Sequence, residues 1–185
     1  MSPGTVIVTA VGEVSNIRKT IKPVLCQDKE TELLYVNFSK DDFQLGGSSL
    51  AQVLDKIGNN TPDVKDTEYF KNCFNTIQSL IEQGLIVAGH DVSAGGLITT
   101  LLEMTFANCE GGIDIDLSAF NNNDLISVAF SEQPAVVIQV RDNKAKEILA
   151  NNNIDFVVIG KPQDKREITL KKDEESYNLD INVLR

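Results

Sequence analysis

Two glycine turns place backbone amides where they can do chemistry. Gly46-Gly47-Ser48 and Ser93-Ala94-Gly95-Gly96 each run into a helix start, where N–H groups lack intrahelical partners and the helix dipole favours an anion. Glycine lets a ligand come close to the backbone, and a hydroxyl from Ser48, Ser49 or Ser93 would add a donor. The competing reading is that these glycines only shape turns and the serines only cap helices. His90 is the only histidine, so a metal cluster built on imidazoles is excluded, and His90 either acts alone or serves structure. With Asp91 it lies between an apolar run and the second glycine turn, the kind of strand end where ligands collect. Glu103, about two helical turns past Gly95, is either the polar edge of a buried helix or a carboxylate that fixes neighbouring loops. Glu132, in Phe130-Ser131-Glu132 ahead of a strand, is a loop charge or a substrate contact. Cys26, Cys73 and Cys109 form no CxxC pair, so neither a zinc site nor a disulfide framework is expected. No metal ligand set and no catalytic residue is assigned from these patterns.

These residues need elements to hold them. Residues 5–11 are rich in β-branched side chains and are predicted to form a strand, with residues 18–22 a connection closed by Pro23. Residues 32–38 form a second strand, leading through a polar loop to the first glycine turn and a helix over 50–54. Asp66 caps a long helix in which Tyr69, Phe70, Cys73, Phe74, Ile77, Leu80 and Ile81 recur at helical spacing, and Gly84 stops it. After the short apolar run 85–88 and the second turn, residues 97–107 make a helix apolar around most of its circumference. It should be central and buried, with Thr99, Thr100 and Glu103 on a narrow polar side. Downstream come a strand at 112–117, a turn at 121–124 that can also cap a short helix, a strand at 135–140, a helix at 143–150, and short strands at 156–160, 167–170 and 177–180. No linker, low-complexity tract or repeat divides residues 1–185, so one domain is expected. Strands and helices are interspersed without strict alternation, which predicts an α+β fold, a mixed β-sheet with helices packed on its faces.

The 185 residues hold 17 Lys and Arg against 27 Asp and Glu, a formal charge of −10. With 42% hydrophobic residues the chain can close a core, and disorder and collagen are excluded. An acidic surface repels phosphate backbones, so nucleic acid is not an expected partner, and any phosphate site must rest on local donors. No apolar run approaches a membrane span and Met1-Ser2-Pro3 opens no export signal, so no membrane partner and a cytoplasmic location are expected.

The run Ala88-Gly89-His90-Asp91-Val92-Ser93-Ala94-Gly95-Gly96-Leu97, followed by residues 101–107, resembles the signature of phosphoribosylformylglycinamidine synthase, the amidotransferase of purine synthesis. Leu45-Gly46-Gly47-Ser48-Ser49 looks like that family's glycine turn, Phe130-Ser131-Glu132 like its later acidic motif, and Ile159-Gly160-Lys161 like its closing strand. Ala94 departs from the pattern, where the family commonly has an acidic residue. The resemblance implies a domain similar to the C-terminal domain of aminoimidazole ribonucleotide synthetase, cut from a much larger enzyme. In such enzymes ATP phosphorylates the amide oxygen of formylglycinamide ribonucleotide and ammonia released from glutamine displaces the phosphate. A companion domain would carry most of the ATP and magnesium site, and a separate one the glutaminase, so no tightly bound cofactor is expected here. By the same resemblance Ser93, Gly95 and Gly96, with Gly46, Gly47 and Ser48, would surround the ribonucleotide phosphate, and His90 and Asp91 would lie beside the substrate. The alternative is a non-catalytic scaffold or a structural nucleotide holder; selenophosphate synthetase and hydrogenase-maturation proteins use a similar domain.

Overall fold

Alternation along one strand decides the layering. In Glu32–Asn37 (β1), Leu33 and Tyr35 turn to one face and Leu34 and Val36 to the other, and all four are buried. Such a strand belongs inside a sheet covered on both faces. The computed structural model describes residues 8–14, 16–120 and 124–185. Its other strands are Ile86–Val92 (β2), Gly112–Asp116 (β3), Ala135–Val140 (β4), Phe156–Gln163 (β5), Glu167–Lys172 (β6) and Glu175–Asp180 (β7). They form one sheet in the order β2-β4-β1-β5-β3-β6-β7, antiparallel throughout except for the parallel β3–β6 pair. The mixed sheet with helices on its faces is therefore the architecture expected from the sequence.

The helices are Ser49–Val53 (α1), Thr67–Glu82 (α2), Gly96–Phe106 (α3), Leu125–Phe130 (α4), Asn143–Asn151 (α5) and Ile181–Leu184 (α6). One face of the sheet packs against Leu97, Leu101 and Met104 of α3, Val128 of α4 and Ile181 of α6. The other packs against Cys73, Ile77 and Leu80 of α2 and Leu149 of α5, beneath β1, β2 and β4. α2 begins as predicted, the Tyr69 amide donating to Asp66 Oδ1 at 2.9 Å, and Gly84 follows its end with φ +69°.

β5 joins the two halves of the sheet. Phe156 to Gly160 pair with β1, and Gly160 to Gln163 pair with β3. At the hand-over a Cβ on Gly160 would lie 2.1 Å from the Asp114 carbonyl oxygen, so only glycine fits between the strands.

Three local expectations are corrected, for residues 8–11, Phe74 and Thr100, and two others are filled in. Of the strand expected at 5–11, residues 5–7 lie outside the described residues; residues 8–11 form no strand, and Val8 and Val11 are 84% and 94% exposed, since no described strand pairs with them. The connection after them contains a 3-10 turn, Ile17–Lys19. Phe74 is 52% exposed, because the buried stripe of α2 is narrower than its apolar composition. Thr100 is not on a polar side of α3 but 2% exposed, its hydroxyl donating to the Asp91 carbonyl at 3.0 Å. Within the turn expected at 121–124, residues 121–123 are outside the described residues; Asp124 caps α4, accepting from the Ser127 amide.

Candidate functional site

β2 carries the apolar run straight through Gly89, His90 and Asp91, so both polar residues are strand residues at the end that feeds the second turn. Beyond Val92 the chain bends through Ser93, Ala94 and Gly95 into α3. Gly95 and Gly96 have φ of +86° and +73°. A Cβ on Gly96 would lie 2.6 Å from the carbonyl carbon of Phe130, so this glycine lets the end of α4 rest on the start of α3. That contact aims the next three residues at the site.

Each of those residues ties down a different element. The Ser131 hydroxyl donates to the Gln44 carbonyl at 2.8 Å, and Gln133 Nε2 donates to the Tyr35 hydroxyl at 2.7 Å. Between them Glu132 Oε1 accepts from the Gly95 amide at 2.8 Å and from the Ser49 amide at 2.7 Å. Burial works against ionisation of this carboxyl, but the Gly95 and Ser49 amides and the Ser49 hydroxyl outweigh it and hold its pKa below the ordinary glutamate range. Glu132 is thus neither a free loop charge nor open on both oxygens: it bridges the two glycine turns that the sequence marked separately.

The first turn spends its own donors. The Gly46 amide bonds the Asn60 carbonyl (2.7 Å), the Gly47 amide the Ile57 carbonyl (2.7 Å) and the Ser48 amide the Leu45 carbonyl (3.3 Å). Ser48 is 1% exposed; its hydroxyl donates to the Leu45 carbonyl and accepts from the Ala51 amide. Here the geometry is that of a turn and a cap. In the second turn the Gly96 amide folds back on the Ser93 carbonyl (3.0 Å), while the Ser93 side chain is exposed and α3 starts without a side-chain cap.

His90, Asp91 and Glu103 do come together. His90 Nδ1 lies 2.8 Å from the Asp91 carbonyl oxygen and 3.3 Å from its Oδ1, and Nε2 lies 3.3 Å from Glu103 Oε2. His90 and Asp91 line a cleft of about 360 Å³ with Ile21, Pro23 and Ile77, whereas Gly46, Leu45 and Leu50 line a separate one of about 430 Å³. Among the described residues no three His, Cys, Asp or Glu side chains gather as a metal would need. Sequence reasoning missed Ser131, Gln133 and Tyr35; the only signal was three consecutive polar residues ahead of a buried strand.

A sheet of this order with the second glycine turn at the start of its central helix defines a class. Residues 34–173 match the family described as AIR synthase related protein, C-terminal domain, and the chain belongs to that family. Within it, the chain is 38% identical over 176 residues to the probable phosphoribosylformylglycinamidine synthase, chloroplastic/mitochondrial, of Arabidopsis thaliana, covering 93% of this chain but 12% of that protein. Among solved structures, PurL of Thermotoga maritima complexed with FGAR superposes with a TM-score of 0.71 at 13% identity, over 91% of this chain and 30% of that one. The hydrogenase maturation protein HypE of E. coli gives a TM-score of 0.55 at 19% identity, over 88% and 52% of the two chains. These structural likenesses are of fold.

Proposed function

We propose that this chain is a domain of a phosphoribosylformylglycinamidine synthase, the ATP-dependent ligase of purine synthesis that makes formylglycinamidine ribonucleotide, and that it forms one wall of the substrate cleft. The observation that carries the reading is the 38% identity to the Arabidopsis thaliana synthase over 93% of the chain. In that wall the exposed Ser93 faces the ribonucleotide phosphate, Gly95 and Gly96, whose amides are taken by Glu132 and the Ser93 carbonyl, shape the turn that carries it, His90 and Asp91 flank it, and Glu103 orients His90. Gly46, Gly47 and Ser48 act from behind, by fixing the loop on which Glu132 closes.

For ATP and magnesium, the amides of Gly46, Gly47 and Ser48 are already bonded within their loop, and among the described residues no three His, Cys, Asp or Glu side chains gather. We assign both groups, with the glutaminase, to other parts of the parent enzyme and derive no step through them. The occupied amides also favour a second reading, in which this copy of the domain is a scaffold.

Titration with formylglycinamide ribonucleotide and with its dephosphorylated nucleoside, read by backbone NMR, tests the choice. The first reading expects shifts at residues 93–97 with the nucleotide alone. No response to either compound overturns it in favour of the scaffold.

A further inference from the structure

We propose that Glu132 is the positioning residue of this site: its single oxygen Oε1 locks the Ser49 and Gly95 amides together, so that the two glycine turns move as one body. Neither α1 nor α3 has an acidic residue in its first turn, and Gly95 offers α3 no side-chain cap. The α3 start therefore has neither a cap nor a charge of its own, while α1 is capped only by the neutral Ser48 hydroxyl. Glu132 supplies one charge to both, from a segment remote from each in sequence, through bonds of 2.7 and 2.8 Å.

Its backbone cannot drift. Ser131 and Gln133, 2% and 0% exposed, anchor the chain on either side, to the Gln44 carbonyl and the Tyr35 hydroxyl. Among the described residues no cation lies within 4.0 Å of the carboxylate, so the amides and the Ser49 hydroxyl are the groups that face it. The lock does not depend on a ligand; its bearing on substrate binding rests on the reading of the turns as a cleft wall.

Amide hydrogen exchange and NMR titration of this chain test the lock. In Glu132→Ala, exchange at Ser49 and Gly95 should accelerate together by about tenfold or more, the factor expected for losing a bond to a charged acceptor. Amides in β1 and β4 should keep their protection, which a general loss of stability would not allow. In wild type both amide shifts should titrate with one shared acidic midpoint, and in Glu132→Gln that titration should vanish from both. Two different midpoints, or an effect on one amide alone, overturn the proposal. Should Glu132→Ala fail to fold, the Glu132→Gln titration decides by itself. Inorganic phosphate added to wild type separates the two ideas: if it moves no amide at 46–49 or 93–97 the cleft wall is refuted while the shared titration still stands, and if it shifts the amides of one turn and not the other the lock is refuted.

Discussion

At the residue scale the site is a set of backbone donors, most of which the chain itself has claimed. Gly96 is constrained twice, by a φ of +73° and by the Phe130 backbone 2.6 Å from where a Cβ would stand. Gly96→Ala should therefore lose about 1–3 kcal/mol from backbone conformation alone, with the clash added, read as a fall in urea midpoint at unchanged slope. Glu103→Gln should do much less. The Glu103 and Asp91 carboxylates are 45% and 72% exposed, and water screens their pairs with His90. Its expected cost is below about 1 kcal/mol, by the same measurement. Sequence could read the glycines and the His90–Asp91 pair because both lie in one short run. The cap made by Ser48 was legible as the competing reading, since its bonds to Leu45 and Ala51 are local; that Glu132 fills amides from Ser49 and Gly95 was not, since those bonds join segments that only the folded sheet brings together.

At the element scale, patterns backed by local chemistry were legible. α2 has a capping Asp66, a stripe of apolar residues and a stopping glycine, and it forms where these signals put it. Removing the cap in Asp66→Ala should cost about 1 kcal/mol. α3 was legible as the buried helix from composition, and Leu101 at its centre is 0% exposed. Leu101→Ala should lower stability by about 2–5 kcal/mol through the cavity it opens; an unchanged denaturant midpoint would contradict the packing of α3 between sheet and α4. What composition could not give was orientation. Thr100 counts as polar but uses its hydroxyl inside the core, and residues 8–11 have strand-forming side chains but no strand beside them. The tail strands were read too short because Lys161, Pro162 and Gln163 continue β5 past its apolar run, held by pairing with β3.

At the scale of the whole molecule, acid is the condition to which the fold should answer. Asp116 is held low by the Ser118 hydroxyl and amide, Asp124 by those of Ser127, and Glu132 by its two amides against the pull of burial. Folded carboxyls below their ordinary values bind fewer protons than the unfolded chain, so their stabilisation is complete above the unfolded values and is lost as pH falls through the folded ones. Thermal unfolding should shift downward from about pH 4 and below, and Glu132→Gln should flatten that dependence. Incubated with formylglycinamide ribonucleotide, ATP, magnesium and ammonia, the chain alone should show no turnover above a blank. The hand-over at Gly160 has a consequence for biosynthesis. The pairings β2-β4 and β4-β1 are possible once residue 140 has been made, yet β1 and β3 both wait for β5, and β3 meets β6 only later still. While residues 156–163 remain in the ribosome, the nascent chain carries β1, a strand apolar on both faces, as a bare edge, and bare apolar edges recruit strands from other molecules. The risk of aggregation during synthesis is thus concentrated in the interval before one eight-residue segment emerges, and ends when it docks.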